Sequence, residues 1–337
     1  MKAAVLHGAK DIRVEDVPYP SLEPHSVIIR VKACGVCGSD LHRYRLGVRD
    51  PMRLGHEFSG DVVEVGAEVT GVKQGDRVVA MSGRGCGQCY WCRQGDFIRC
   101  SKLALLGYGV PGAFAEYVSV PFFRMGQYAA ILPSHLTYEE GATAEPVSVA
   151  LHAVRQMQPK PDDTVLVIGL GIIGLCIIPI LKSWGIARVI ASGRRGKRLQ
   201  LARDMGADSV VDAATGDVLP VVAEITSGRG ADIVYECAGT ADTFQQALRA
   251  THRGGKINVL GLYEQPFSWN PSALVSNDVT LVGCGLRWDL PGAIQLLQSS
   301  ALDTKPLISH RFPLDKVKEA FEAQVGADDA IKVIVKP

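Results

Sequence analysis

The stretch VLVIGLGIIG, Val165–Gly174, decides the fold. A short aliphatic run ends in G-x-G-x-x-G and passes directly into a second apolar stretch, Ile172–Trp184, of helical length. A bare glycine pattern is common; strand, glycine loop and helix in this order give it meaning. Gly169 permits the tight turn, Gly171 lets a pyrophosphate approach the backbone, and Gly174 lets the helix pack on the strand. The free N–H groups of the first helical turn, at Ile172 and Ile173, then favour phosphate together with the helix dipole. One residue runs against the pattern. Pro179 lies inside the helix, where the loss of a backbone donor predicts a kink.

Further along the chain the alternation continues. Arg188–Ala191 reads as a strand, an Arg- and Leu-rich helical segment follows, and Ser209–Val211, Ala231–Glu236 and Gly255–Leu260 read as further strands. Strands and helices alternating at this spacing predict a parallel doubly wound sheet. After the second strand a dinucleotide site of the NAD type places an acid about 20 residues beyond the glycine loop, to hold the ribose hydroxyls. Here the chain reads ARVIASGRRGKR, Ala187–Arg198, with Ser192, Gly193, Arg194 and Arg195 at that point and no carboxylate before Asp204. An anion replaced by two guanidinium groups suits a 2′-phosphate. Ser192, Arg194 and Arg195 are therefore assigned to NADP(H), with NAD(H) as the alternative.

The flanking regions have another texture. Residues 1 to about 150 hold short strand-like runs, Ser26–Ala33, Ser59–Val65 and Arg77–Met81, separated by glycine turns, which predict an irregular β-barrel. After about Gly285 come helical stretches at Gly292–Ser299 and Leu314–Ala323 and a final strand at Ala330–Lys336. The expected organisation is one domain from 1–150 with 285–337, and a dinucleotide domain from 151–284.

Nine cysteines are present, and four crowd into GCGQCYWCRQGDFIRC, Gly85–Cys100. An odd count without an export signal argues against a disulfide framework. Cys86, Cys89, Cys92 and Cys100 can instead enclose a Zn²⁺ tetrahedrally in a closed, structural site; an iron–sulfur cluster is the lesser alternative. Elsewhere CGVCGSDLH offers Cys37, Ser39, Asp40 and His42, LGHE offers His56 and Glu57, and TAEPVSVALHA offers Glu145. A thiolate, an imidazole and a carboxylate with one open position would make a catalytic zinc site. Each residue alone reads as an ordinary core, turn or cap residue, and spacing does not join them.

Composition sets outer limits. The 337 residues suffice for two cores, and 47% apolar with 21% charged residues is ordinary for a globular enzyme. A net charge of +1 points to neither nucleic acid nor anionic membrane. No apolar run reaches the roughly 20 residues of a membrane span, and the N-terminus does not read as a signal peptide, so a cytoplasmic enzyme is expected.

Taken together and in order, CGVCGSDLH, LGHEFSGDVVEVG, the four-cysteine lobe, AEPVSVALHA, GLGIIG, YECAG and KPLISHRFPLDKVKEAFE resemble the zinc-containing medium-chain alcohol dehydrogenase family over essentially the whole chain. The polyol branch, similar to sorbitol dehydrogenase, is nearest in look, through Glu145 in its E-P-x-S context and the Arg-aromatic pair Arg287 and Trp288. The resemblance implies an α/β chain: a GroES-like β-barrel catalytic domain plus a Rossmann domain. It implies two zinc ions per chain, the catalytic one on Cys37, His56 and a glutamate; whether Glu145 or Glu57 serves directly stays open. Asp40 would orient His56, and Ser39 and His42 would carry the alcohol proton to solvent. Arg43, Arg287 and Trp288 are assigned to the substrate. The expected reaction moves a hydride between an alcohol of a polyol, sugar or sugar acid and NADP(H), in a homodimer or homotetramer. A threonine-dehydrogenase-like or simple secondary-alcohol activity is the alternative enzyme reading, and a silent NADPH-binding zinc protein or a zinc-based redox sensor the non-catalytic one.

RYRLGVRDPMR, Arg43–Arg53, adds a hint of substrate charge. Arg43, Arg45, Arg49 and Arg53 stand between His42 and His56 with only Asp50 against them. Guanidinium forks grip carboxylates and phosphates, so an anionic substrate is expected, with pairing to surface acids as the plain alternative.

Overall fold

The protein is described by a computed structural model covering residues 1–81, 83–285, 287–299 and 301–337. The chain divides into two compact units, Met1–Ser148 with Trp288–Pro337, and Val149–Arg287. The first boundary falls within the helix Ala144–Met157.

In the second unit the glycine loop does what its sequence dictates. Thr164–Ile168 forms a fully buried strand, Gly169 turns with φ of +95°, and the helix Ile172–Ser183 begins three residues later. Six parallel strands lie in the order Ser209–Asp212, Arg188–Gly193, Thr164–Ile168, Ala231–Glu236, Thr251–Val259 and Thr280–Gly283. Counted along the unit this is 3-2-1-4-5-6, whose order reverses beside the glycine loop, where doubly wound sheets bind nucleotides. Leu166, Ile190, Val234 and Ile257 from four neighbouring strands form the core with Val218, Val222 and Ala247 from two helices. Pro179 does not interrupt its helix, which is assigned continuously through Ser183. Every residue from Gly174 to Leu181 is buried, so packing holds a helix that local propensity disfavours.

The first unit is mostly β. Ala129–Ile131, Arg77–Ala80, Glu57–Val65, Val27–Gly35, Lys332–Lys336 and Ile308–Pro313 lie side by side, with Tyr117–Val120 also paired to Val27–Gly35. The C-terminal strand is thus built into the N-terminal sheet, pairing antiparallel with Cys34 and Gly35. A small three-stranded sheet of Gly83–Arg84, Ala104–Leu106 and Gly109–Val110 carries the four-cysteine lobe between its first two strands. The expected helices of the tail are Leu290–Gln298 and Val317–Gly326. No helix among the described residues is long and apolar enough to cross a membrane.

Candidate active site and metal centres

Cys37 sits at the N-cap of a nine-residue helix, Gly38–Leu46, and Asp40 occupies its third position. The Asp40 carboxylate accepts the Cys37 N–H at 3.1 Å and the Gly55 N–H at 3.4 Å. One fully buried acid thereby joins the helix start to the LGHE turn. Gly55 has to be glycine there: its φ is +96°, and a Cβ would lie 2.8 Å from the Phe114 nitrogen and 2.9 Å from the Cys34 sulfur. The turn delivers His56 with Nδ1 3.7 Å from Asp40 Oδ1, leaving the other ring nitrogen for a further partner.

Cys37, His56 and Glu57 bring one ligand atom each to within 4.8 Å of one another. Glu145, at the start of the helix Ala144–Met157, lies outside that trio but close enough to act on His56. Its Oε1 accepts the indole N–H of Trp288 at 2.7 Å, which places the expected tail residue at the site. Glu57 is held differently, by a buried ion pair of 2.5 Å to Lys332, whose ammonium also donates to the Val36 carbonyl at 3.0 Å.

Charge is the main feature of this interior. Burial pushes Glu145 up to about 7, against the pull of His56 and with Glu57 adding to the rise. Burial also raises Asp40, although His56 opposes it. For His56, burial acts downward but is outweighed by Asp40, then Cys37, so its pKa is well raised. Four acidic groups therefore surround one imidazole and one ammonium. A divalent cation fits such a site, since it would favour the ionised thiolate and carboxylates that burial disfavours.

Tyr108 closes one side. Its ring meets His56 edge-on with centroids 5.7 Å apart, the Arg43 guanidinium lies 5.7 Å from its centroid, and its buried hydroxyl, near Ser39, makes no hydrogen bond among the described residues. Ser39 and His42 are half-buried on the same helix, one turn apart. Arg287 belongs to the second unit, where, after burial, it lowers the pKa of His152.

The second cluster is local. The sulfurs of Cys86, Cys89, Cys92 and Cys100 all lie within 4.8 Å of one another. Backbone N–H groups point at them, from Cys86 and Lys102 to Cys100 at 3.2 and 3.3 Å and from Cys89 to Cys86 at 3.3 Å. Such donors favour thiolate, and four sulfurs with no open position suit a structural ion.

In the second unit the strand Arg188–Gly193 ends under Leu170: a Cβ on Gly193 would lie 2.7 Å from Leu170 Cγ. Arg195 caps the next helix, Gly196–Asp204, with an unusual φ of +73°. Arg198 follows in its first turn, half-buried; burial, with Arg195 adding, lowers its pKa to about 10. Arg194 is exposed, and the Ser192 hydroxyl is buried without a hydrogen bond among the described residues.

Comparison with known proteins agrees with this geometry. Residues 23–129 match the family model for the alcohol dehydrogenase GroES-like domain, and residues 173–299 that for zinc-binding dehydrogenases. A sorbitol dehydrogenase of Bacillus subtilis is 34% identical, covering 100% of this chain and 97% of the relative. The chain belongs to the zinc-containing medium-chain alcohol dehydrogenase family. An L-idonate 5-dehydrogenase of Vitis vinifera is 35% identical over 98% of the chain and 93% of the relative. A dehydrogenase of Sinorhizobium meliloti 1021, described as zinc-binding and solved with NADP, superposes with a TM-score of 0.89 at 32% identity, over 100% and 99% of the two chains. The protein is accordingly a zinc-dependent oxidoreductase of CH–OH donors in the alcohol and polyol group.

Several residues of this dehydrogenase escaped the sequence reading. Lys332 was only one position of a predicted strand; a lysine inside the run AIKVIV was the signal. Tyr108 carries no motif. Arg198 was visible in SGRRGKR but lies beyond the turn. Glu236, in YECAG, is buried and accepts from the Ala238 and Gly239 N–H groups and the Thr243 and Tyr263 hydroxyls, at 2.6–2.9 Å, so it fixes the loop after its strand.

Proposed function

We propose that this dehydrogenase oxidises a secondary alcohol of a polyol-like or sugar-like substrate with NADP⁺, and reduces the ketone with NADPH. Catalytic zinc would be held by Cys37, His56 and a glutamate, and structural zinc by Cys86, Cys89, Cys92 and Cys100, giving two ions per chain. The observation that carries the reading is the set of half-buried Cys37 with buried His56 and Glu57, on and beside the helix of Ser39, in a chain whose nucleotide turn has arginines where NAD sites carry an acid. Of the two glutamates, Glu57 has the closer atom, whereas Glu145 has the freer carboxylate, since Lys332 neutralises Glu57. We assign the third position to either, directly or through water.

When bound, zinc polarises the alcohol oxygen and the nicotinamide accepts the hydride. The remaining steps fall to the protein. Cys37 and His56 are positioned by Asp40. Ser39 takes the hydroxyl proton and passes it toward His42, one helical turn on, and so to solvent. Trp288 fixes the Glu145 carboxylate and covers it. At the other end of the nucleotide, Arg194, Arg195 and Arg198 form a cationic turn for a 2′-phosphate, and the space over Gly193 is filled by Leu170. The exposed Leu262 and Val275 and the edge strand Thr280–Gly283 support assembly as a homodimer or homotetramer.

The test is a panel of alditols, sugars and aldonates assayed with NADP⁺ and NAD⁺ in parallel, with zinc counted by elemental analysis. NADP⁺-dependent turnover and two zinc ions per chain are expected. A preference for NAD⁺ would overturn the cofactor assignment, and one ion or iron would overturn the metal assignment.

A further inference from the structure

The arginine-rich run after His42 is sorted by the structure into unlike groups. Some arginines elsewhere meet carboxylates, as Arg13 meets Asp11 at 2.7 Å, Arg311 meets Glu139 at 2.7 Å and Arg229 meets Asp232, while Arg30 and Arg77 rest over tyrosine rings. Arg43 and Arg53 meet no carboxylate among the described residues. Arg43 lies on the proton-relay helix with its guanidinium over the Tyr108 ring, a cation–π contact that orients the fork without neutralising it. Tyr108 in turn packs edge-on against His56. Two contacts of 5.7 Å each keep the Arg43 guanidinium within about 11 Å of the His56 ring.

Arg53 lies three residues before His56, on the stretch leading into the LGHE turn. It is half-buried, and its buried Nη1 atom has no hydrogen-bond partner among the described residues. Its backbone carbonyl accepts the Gly112 N–H at 3.0 Å. The segment around Gly112 is packed so tightly on this chain that a Cβ at Gly112 would lie 2.3 Å from the Leu54 oxygen. Tyr108 begins that segment, so Arg43, Tyr108 and Arg53 come from three adjoining pieces of backbone around one metal-ligand turn. A half-buried guanidinium without a carboxylate is costly, and no carboxylate among the described residues offsets that cost. Neutral polyols need hydroxyl partners and no net charge.

We propose that Arg43 and Arg53 form an anion-recognition subsite, and that the preferred substrate is a polyhydroxy compound with one anionic terminus, a carboxylate or a phosphate. Its secondary alcohol lies at Cys37 and His56 and its charged end lies against the guanidinium groups, a span that a sugar-length carbon chain covers. This rests on the dehydrogenase reading above. Tyr108 acts as the positioning residue, holding Arg43 aimed.

The experiment compares matched pairs on the zinc-loaded enzyme with NADP⁺: D-gluconate with D-glucitol, L-idonate with L-iditol, and D-glucitol 6-phosphate as the phosphate arm. An anionic member is expected to exceed its neutral partner at least tenfold in kcat/KM, and the better arm names carboxylate or phosphate as the natural group. Arg43→Ala should bring that ratio close to one, chiefly by raising KM for the anionic member, and Arg43→Lys should restore part of it. Arg53→Gln should act in the same direction, and Tyr108→Leu should lower the ratio less. Arg49→Ala, exposed on the same run like Arg43 but making no ring contact with Tyr108 among the described residues, should leave the ratio within twofold. Neutral alditols turned over as well as every anionic analogue, or a ratio that survives in both Arg43→Ala and Arg53→Gln, would overturn the subsite while leaving the dehydrogenase reading intact. No turnover of any alcohol with either nucleotide would overturn both.

Discussion

The two cysteine-containing clusters of the first unit are built on opposite principles. The four-cysteine lobe draws its sulfurs from Cys86 to Cys100 and holds them near the surface with backbone N–H groups. The Cys37–His56–Glu57 cluster is assembled from a helix cap, a strand entry, the helix start at Glu145 and the C-terminal strand at Lys332, all in the interior. On the proposed two-ion reading, the first cluster would take its local shape from its ion, whereas the second, shaped by the sheet, would use its ion for chemistry. That difference predicts where mutations act.

The sharpest contrast is between Cys37→Ser and Cys92→Ser. Cys37→Ser should lower kcat/KM by on the order of 10³-fold or more, well beyond the roughly 10–100-fold of a lost outer-sphere partner, while Tm moves little. Cys92→Ser should reverse the pattern, with loss of Tm and of soluble yield before loss of kcat per folded molecule. Thermal melts and metal counts on both variants decide it. Equal effects on fold and turnover in the two variants would remove the distinction.

Next in size is the buried pair of Glu57 and Lys332, both almost fully enclosed. Lys332→Met leaves Glu57 buried without its cation and should cost about 3–5 kcal/mol in urea unfolding. The double variant Glu57→Gln with Lys332→Met should recover most of that loss, because the penalty belongs to the unpaired charge. A double variant no better than the single would show that Lys332 contributes packing only.

A smaller effect is expected at the nucleotide turn. Arg194→Ala should weaken NADP⁺ binding by about 1.5–3 kcal/mol, the range for hydrogen bonds to charged groups, and leave NAD⁺ nearly unchanged. Gly193→Asp alone should not create good NAD⁺ binding, because Leu170 occupies the space above Gly193. Adding Leu170→Ala should be needed, and initial-rate kinetics with both nucleotides test this.

What was legible in the sequence follows the same division. The lobe, the glycine loop and the missing acid were read directly, because their ligands or backbone requirements lie within a few residues of one another. The parallel doubly wound sheet of the second unit was legible in the alternation of strands and helices, whereas its strand order is seen only in the structure. Cys37, His56 and Glu145 were individually ambiguous, and family resemblance rather than spacing brought them together. Lys332 was out of reach, since nothing local tells that the strand Lys332–Lys336 pairs with Cys34 and Gly35. Pro179 was legible as a local cost to its helix, and the burial of the residues around it shows why the helix nonetheless runs on to Ser183.

The finest distinction lies inside the lobe itself. Backbone N–H donors from Gln88 and Cys89, and then Cys100, lower the Cys86 thiol to about 6, whereas burial, with Gly87 opposing and Cys89 and Cys100 adding, lifts Cys92 to about 11. The sign is simple: between those values Cys86 is thiolate and Cys92 is thiol, and only thiolate alkylates. After zinc is chelated under reducing conditions, iodoacetamide at pH 7 should label Cys86 several-fold faster than Cys92, by peptide mass mapping, and the gap should narrow as pH rises toward 11. Low thiol pKa also reduces intrinsic nucleophilicity, which makes the gap smaller than the thiolate fractions alone imply. The zinc-loaded protein should label at neither. Equal rates at Cys86, Cys89, Cys92 and Cys100 in the depleted protein would mean that the N–H cradle does not outlast the ion, so that zinc alone orders the lobe; a fast Cys86 would mean that the backbone is already arranged to receive it.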